Sequence, residues 1–266
     1  MSQTTYGWNA ADYARNSGQQ LAWAKELLAG LELSGDESLL DIGCGEGKIT
    51  AQIAGLLPRG RALGIDFAVE MIRYASQEFP PERFPNLSFR QMDAAAIKLP
   101  REFEVAFSNA ALHWVADHHA ILEGVRACLK EGGRIHFQMG GRGNAEEIEG
   151  VVREICRRSR WEACFRGFPS PYHFYDVGDY ERWLPEHGFA PASVKLIPKD
   201  MRHEGREGLI GWLRTVWLPY TDRVPAADRS AFLDEIADAY LSRFPLDSEG
   251  IAHVKMVRLQ VEAAAM

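Results

Sequence analysis

A short apolar run ending in three alternating glycines, Leu39-Leu40-Asp41-Ile42-Gly43-Cys44-Gly45-Glu46-Gly47, constrains the fold of this chain more than any other stretch. It passes into an amphipathic pattern (Ile49, Ile53, Leu56, Leu57), so it reads as strand, tight turn and helix. Such a turn brings bare backbone up against a ligand, because glycine reaches φ > 0 cheaply and has no side chain in the way. Two other glycine motifs are excluded. A dinucleotide-type G-x-G-x-x-G begun at Gly43 would need glycine at Lys48, and a phosphate-binding G-x-x-x-x-G-K-[ST] would need glycine at Ile42 and Ser or Thr at Ile49. What is present is D-x-G-x-G-x-G, and the next strand, Arg61 to Asp66, ends in an acid at roughly the 20-residue offset that suits a ribose diol.

At 266 residues the chain is long enough for one large α/β domain, or one with a lid. Its formal charge of -7 argues against a nucleic-acid partner held by phosphate neutralisation and favours a small-molecule ligand. Cys44, Cys128, Cys156 and Cys164 show no C-x-x-C spacing, so neither a disulfide framework nor a metal site is indicated and a reducing, cytoplasmic setting fits. No signal-type leader or membrane-length apolar run is present, so no membrane partner is expected.

Residues 1–34 carry Trp8, Tyr13, Gln20 and Trp23 and then a helical pattern through Leu21, Lys25, Leu28 and Leu31. They precede the first strand, so they lie over the sheet: as a plug for an apolar edge, or as a flap placing Tyr13 and Gln20 over a ligand. Trp8 and Trp23 read as packing anchors. From Leu39, strand and helix alternate through strands ending at Ile42, Asp66, Asp93, Asn109 and Met139. That alternation implies a mostly parallel sheet with helices on both faces, whose ligands sit beyond the carboxyl ends of the strands. Gly43, Asp66, Asp93 and Asn109 all stand there. Past Met139, Asn144 and Glu147 form a capping-box pattern for a helix through Ile155. The arginines Arg153, Arg157, Arg158 and Arg160 read as a solvated helix end, and the aromatic stretch from Trp161 to Tyr175 as a loop over a cavity. A helix over Asp179 to His187, a sixth strand over Ala192 to Ile197, two helical patterns between Arg206 and Phe244, and an edge strand from His253 to Val261 complete the chain. The reading is one domain: an N-terminal flap (1–34), a core (36–140) and cap insertions (141–190 and 202–250).

The series D41-I-G-C-G-E-G47, G64-I-D66, the Met71 helix, M92-D93-A94, S108-N-A-A-L-H-W114 and L129-K-E-G-G-R134 resembles the class I S-adenosylmethionine-dependent methyltransferases that act on small molecules. It is most similar to the group containing trans-aconitate and juvenile hormone acid methyltransferases. The resemblance implies a Rossmann-like sheet of seven strands in the order 3-2-1-4-5-7-6, strand seven antiparallel, and S-adenosyl-L-methionine as cofactor. It implies that the backbone from Gly43 through Cys44 and Gly45 to Gly47 faces the methionine part and that Asp66 holds the ribose hydroxyls. Phe67 and Met71 would flank the adenine, Asp93 and Ala94 would read its amino edge, and Asn109 with Ala110 would contact the methionine part. Tyr13 and Gln20 would cover the cofactor.

The reaction expected is an in-line transfer of methyl to a small acceptor. A carboxylate acceptor, with a solution pKa of about 4, is already ionised and needs no general base. His113 and Trp114, just past strand four, are the candidates to orient an acceptor and wall the channel, while Arg142, His173, Trp212 and Tyr220 are candidate substrate contacts. Competing readings are transfer to a hydroxyl, amine, carbon or carrier-bound malonyl group, and a non-catalytic S-adenosylmethionine-binding domain. An NAD-type oxidoreductase is disfavoured by Lys48 at the third glycine position and by the lack of a catalytic Tyr-x-x-x-Lys. A monomer or homodimer is expected.

Overall fold

The computed structural model describes the backbone from Gly18 to Met266 and the side chains from Trp23 onward. Trp8 and Tyr13 lie outside the described residues, as does the side chain of Gln20. In chain order the elements are α1 (Gly18–Ala29), β1 (Ser38–Ile42), α2 (Lys48–Gly55), β2 (Arg61–Asp66), α3 (Val69–Glu78), β3 (Leu87–Gln91), β4 (Phe103–Asn109), α4 (His118–Cys128), β5 (Leu129–Gly140), α5 (Glu146–Cys156), α6 (Glu162–Phe165), α7 (Val177–Glu186), β6 (Phe189–Glu204), α8 (Gly205–Val216), α9 (Leu218–Thr221), α10 (Arg229–Arg243) and β7 (Ile251–Ala265). These residues form two compact units, one of Gln19–Arg142, Tyr172–Ile197 and Arg258–Met266, the other of Gly143–Pro171 and Pro198–Val257.

The seven strands make one sheet in the order β3-β2-β1-β4-β5-β7-β6, with β7 antiparallel to β5. The order expected from the resemblance is the order found. β1 is central and buried on both faces, so it is apolar except for Ser38 at its start and Asp41 near its end. Leu39 joins a cluster with Leu27, Leu28 and Leu31 of the α1 region and Ile53 of α2. Leu40 and Ile42 point the other way, into a cluster with Ile121, Leu122 and Val125 of α4 and Leu184 of α7. From β1 the chain steps outward through β2 and β3, then returns to β4 on the opposite side of β1. That reversal opens a crevice at the carboxyl ends of β1 and β4, where an α/β sheet binds its ligands.

The turn leaving β1 is pinned to β2. The N–H groups of Gly43 and Cys44 both donate to the Ile65 carbonyl, at 2.8 and 3.0 Å. Gly43 and Gly45 have φ of 76° and 53°, in the left-handed region. A Cβ on Gly43 would overlap the Cβ of Ala111, whereas one on Gly45 would meet no atom of the described residues within 4 Å.

The second unit has its own aromatic interior. Trp161, 2% exposed, stands edge-on to Phe232 and donates its indole N–H to Glu235, and Phe165 stacks on Phe232 at 5.4 Å. Arg158 and Arg160 also reach Glu235 at 3.1 Å and remain half exposed, as a solvated helix end should.

Three readings from sequence change. β7 is an interior strand and β6 forms the edge, because β7 enters between β5 and β6. The Asn144 and Glu147 capping box does not form. Asn144 Oδ1 accepts instead from the Val257 N–H at 3.1 Å, Glu147 pairs with Lys255 at 2.7 Å, and α5 starts from Ala145 in a left-handed conformation. The aromatic stretch from Trp161 to Tyr175 is not one loop: it contains α6, and the two units share it, Pro171 ending its part in one and Tyr172 beginning it in the other.

Gly43→Ala combines a left-handed penalty with overpacking and should lower stability by about 3 kcal/mol. Gly45→Ala should cost about 1 kcal/mol, the conformational part alone. Urea unfolding of the two variants measures the difference, and equal losses would mean that the approach of Ala111 to the turn is not the constraint.

Candidate functional site

Of the predicted cofactor residues, Gly43, Cys44, Gly45, Asp66, Phe67, Met71, Asp93, Ala94, Asn109 and Ala110 stand at or just past the carboxyl ends of β1, β2, β3 and β4, within the first unit; Tyr13 and the Gln20 side chain lie outside the described residues. Asp66 ends β2, and its carboxylate is already half engaged: Oδ1 accepts from the Ala68 N–H at 2.8 Å and Oδ2 from the Gly45 N–H at 2.9 Å. A carboxylate has about four lone-pair positions, so acceptor capacity for a diol is left over. Burial pushes the Asp66 carboxyl above its ordinary range, and the two N–H donors oppose that push.

Asp41, 2% exposed, lies beneath the turn and accepts from Thr50 Oγ1 at 2.6 Å. Burial, helped by the charges of Asp66 and Glu46, raises it to about 7. Burial raises Glu46 too, with Asp66 adding to the effect. Three carboxylates thus crowd one glycine turn and repel each other. A ligand carrying positive charge there relieves that repulsion.

Phe67 and Met71 follow Asp66, with Met71 buried at 4% exposure and Phe67 half-buried. The end of β3 is joined to that of β2 by the Met92 N–H donating to the Asp66 carbonyl at 3.0 Å. Asp93 caps a 3-10 turn, Ala94–Ala96, and accepts from the Ala95 N–H at 2.9 Å. Cys44 is buried, which drives its thiol well above its usual value and leaves it a packing group.

At the end of β4, Ala110 has φ 56° without being glycine, and its N–H donates to the Gln138 carbonyl at 2.7 Å. Such a conformation costs about 1–2 kcal/mol, and strain of this kind gathers at functional positions. Next to it, Asn109 Oδ1 is buried with no hydrogen-bond partner among the described residues.

Past this end, a 3-10 turn, Leu112–Trp114, presents His113 and Trp114. His113 Nδ1 accepts from the Gly140 N–H at 3.3 Å, so the neutral ring carries its proton on Nε2. Burial, with the nearby charges of Arg258, His118 and His173, pulls His113 down to about 3. The His113 carbonyl accepts from the His173 N–H at 2.8 Å, which brings His173 alongside. Trp114 and Tyr172 rings lie 4.8 Å apart, Tyr172 stacks on Phe174 at 5.6 Å, and both flank the imidazole at about 6 Å. The result is a largely apolar wall around a neutral N–H donor.

The other substrate candidates lie elsewhere. Arg142 forms an ion pair with Asp176 at 2.6 Å and reaches Asp179 at 3.9 Å, with 65% of its side chain exposed. An exposed pair of this kind is worth about 0–1 kcal/mol, so it is readily exchanged for another carboxylate. Trp212 and Tyr220 belong to the second unit, Trp212 against His203 and Trp217, Tyr220 against Phe165, Phe168 and Trp217. Sequence reasoning singled out neither Arg258, 3% exposed and over the Trp23 ring, nor Gln138. The polar alternation of β7 was the only signal for Arg258, and it reads equally as a solvent-facing edge.

The described residues contain no helix long and apolar enough to cross a membrane. A model of the family described as methyltransferase domain matches residues 33–197. Among relatives, trans-aconitate 2-methyltransferase of Methylobacterium radiotolerans is 28% identical over 258 residues, covering 91% of this chain and 92% of that protein. An uncharacterized methyltransferase of Schizosaccharomyces pombe is 32% identical over 206 residues, covering 73% and 77%. Among solved structures, geranyl diphosphate C-methyltransferase of Streptomyces coelicolor, in complex with Mg2+, geranyl diphosphate and S-adenosyl-L-homocysteine, aligns with a TM-score of 0.55 at 15% identity over 92% of this chain and 81% of that one. That last likeness bears on the fold alone. With well over half its length matched by the family and its sheet wound in the class I order, this chain belongs to the methyltransferase domain family and takes the methyl group it transfers from S-adenosylmethionine.

Proposed function

We propose that the acceptor is the carboxylate of a small acid, methylated on oxygen with no general base. The observation that carries this reading is His113. It is the histidine that directly follows the end of β4, and with its pKa at about 3 it is too weak a base to take a proton from a hydroxyl or an ammonium at neutral pH. A carboxylate has no proton to lose. Relatives named trans-aconitate 2-methyltransferase point toward an acid as well. A hydroxyl or amine acceptor would require a base, and His113 does not offer one.

The residues fit the cofactor on two observations: the space over Gly45 that no atom of the described residues fills, and the Asn109 acceptor left unmet among them. When bound, S-adenosylmethionine supplies an electrophilic methyl on a positively charged sulfur. Asp66 accepts from the ribose hydroxyls with the lone pairs that Gly45 and Ala68 leave over. Phe67 and Met71 bracket the adenine, Asp93 and Ala94 meet its amino edge, and the Gly43 to Gly47 backbone lies along the methionine part. The carboxylates of Asp41, Glu46 and Asp66 favour the positive charge on sulfur. Trp114, Tyr172 and Phe174 exclude water from the transfer path, and His113 holds the acceptor with its Nε2–H. Alignment in a dry site can supply about 7–11 kcal/mol of the barrier reduction.

Asp66→Asn should weaken S-adenosylhomocysteine by about 2 kcal/mol in titration calorimetry, and an unchanged dissociation constant would remove Asp66 from the ribose. Labelled methyl donor offered with small carboxylic acids, trans-aconitate among them, and with matched alcohols and amines should label the acids only. Because His113 stays neutral above about pH 4, it should add no limb to the rate on an acid between pH 5 and 8; the change expected there is a rise through about pH 7 as Asp41 ionises beneath the turn. A limb near 6.5 that survives Asp41→Asn, or preferential labelling of the alcohols, would contradict the acid reading.

A further inference from the structure

The turn that carries His113 and Trp114 is held by its carbonyls. It follows a strained residue, since Ala110 stands at φ 56° without being glycine, and a conformation of that kind persists only where the surroundings fix it. The Leu112 carbonyl accepts from the Val115 N–H at 2.9 Å, which closes the 3-10 turn, and also from the His118 ring at 2.9 Å. Further along, the His113 carbonyl accepts from the His173 N–H at 2.8 Å and the Ala116 carbonyl from the Tyr175 hydroxyl at 2.5 Å. His118 is the most deeply buried of these donors, at 1% exposure. It is the first residue of α4, capped by Asp117, and a side chain there leans back over the chain before the helix.

The hydrogen bonds of His118 leave one arrangement for a neutral ring. A carbonyl can only accept, so Nε2 carries the proton that Leu112 receives. Nδ1 then presents a lone pair, and the Tyr180 hydroxyl of α7 donates to it at 2.6 Å. That hydroxyl also lies 3.6 Å from Met139 Sδ, a weaker and more distant acceptor, so its proton goes to the imidazole. Burial pulls His118 down to about 4 and so keeps the ring neutral. Tyr175, Tyr180 and Trp183 enclose it at 4.5, 5.7 and 6.2 Å. The Leu112 carbonyl and the His113 N–H belong to one planar peptide unit, so fixing the first fixes the direction in which His113 leaves the backbone. The imidazole of His113 is thereby aimed at the Gly140 N–H, and its Nε2–H is turned toward the acceptor side.

We propose that His118 is a positioning residue for the methyl acceptor: with Tyr180 selecting its tautomer, its Nε2–H grips the Leu112 carbonyl and sets the turn from which His113 and Trp114 face the acceptor. The assignment rests on the reading that the acceptor is held at His113.

The test is nitrogen-15 NMR of the full chain labelled at histidine, between about pH 5 and 8. In the unaltered chain His113 and His118 should both show the Nε2–H tautomer and neither should titrate. His118→Leu keeps bulk and removes the donor, so His113 should lose the Gly140 hydrogen bond at Nδ1 and its midpoint should rise from about 3 to above about 5. The charges facing His113, from Arg258 and His173, are unchanged by this substitution. His118→Gln places an amide N–H near the position of Nε2 and should restore the unaltered His113 signals. Tyr180→Phe serves if His118→Leu is not recovered folded: it should give mixed His118 tautomers and move the His113 signals the same way by less. His113 signals unmoved by the variant recovered, or moved as far by His118→Gln as by His118→Leu, would overturn the proposal. Because no acceptor is present in this measurement, a failure to label acids would count against the acceptor reading alone.

Discussion

The carboxylate of Asp66 ties the glycine turn to the end of β2, and the arrangement of the site depends on that tie. Its two oxygens accept from Gly45 and Ala68, while the Ile65 carbonyl just before it accepts from both Gly43 and Cys44. The turn therefore cannot shift without breaking bonds to the neighbouring strand. A residue that fixes the turn and also faces a ligand is set in place before the ligand arrives, which lowers the ordering cost of binding. The left-handed glycines make this possible, since the close approach of Ala111 leaves no room for a side chain at Gly43.

Charge follows from the same geometry. Bringing the ends of β1 and β2 together places Asp41, Glu46 and Asp66 around one turn, where burial raises all three carboxyls and the Asp66 charge adds to the rise of Asp41 and Glu46. Beyond β4 the balance is opposite. Burial and the Arg258 charge keep His113 neutral within an aromatic wall. An anion-rich end thus favours the positive sulfur of the donor, and a dry end with a neutral donor receives an acceptor that arrives already ionised.

Much of the core was legible because its signals are local. β1 is buried on both faces and so reads as a short apolar run interrupted only by Asp41. Asp66, Asp93 and Asn109 each sit where such a run stops, so the strand ends could be counted along the chain. What was not legible depends on residues far apart in sequence. The alternation Arg258, Gln260, Glu262 against Leu259, Val261, Ala263 looks the same for a half-exposed edge strand as for an interior strand with a polar row on one face. Asn144 reads as a helix cap until Val257, more than a hundred residues on, claims its oxygen. Arg142 reads as a free fork until Asp176 is brought beside it. Tyr172 and Phe174 were visible as aromatics, but only their packing on His113 gives them a place.

The most direct measurement is a crystal structure of the chain with S-adenosylhomocysteine bound. The account predicts the ribose hydroxyls within hydrogen-bond distance of the Asp66 carboxylate, the adenine between Phe67 and Met71, and the amino-acid end passing Gly45 toward Asn109. A ligand seated away from the ends of β1, β2 and β4, or one whose ribose does not touch Asp66, would contradict it.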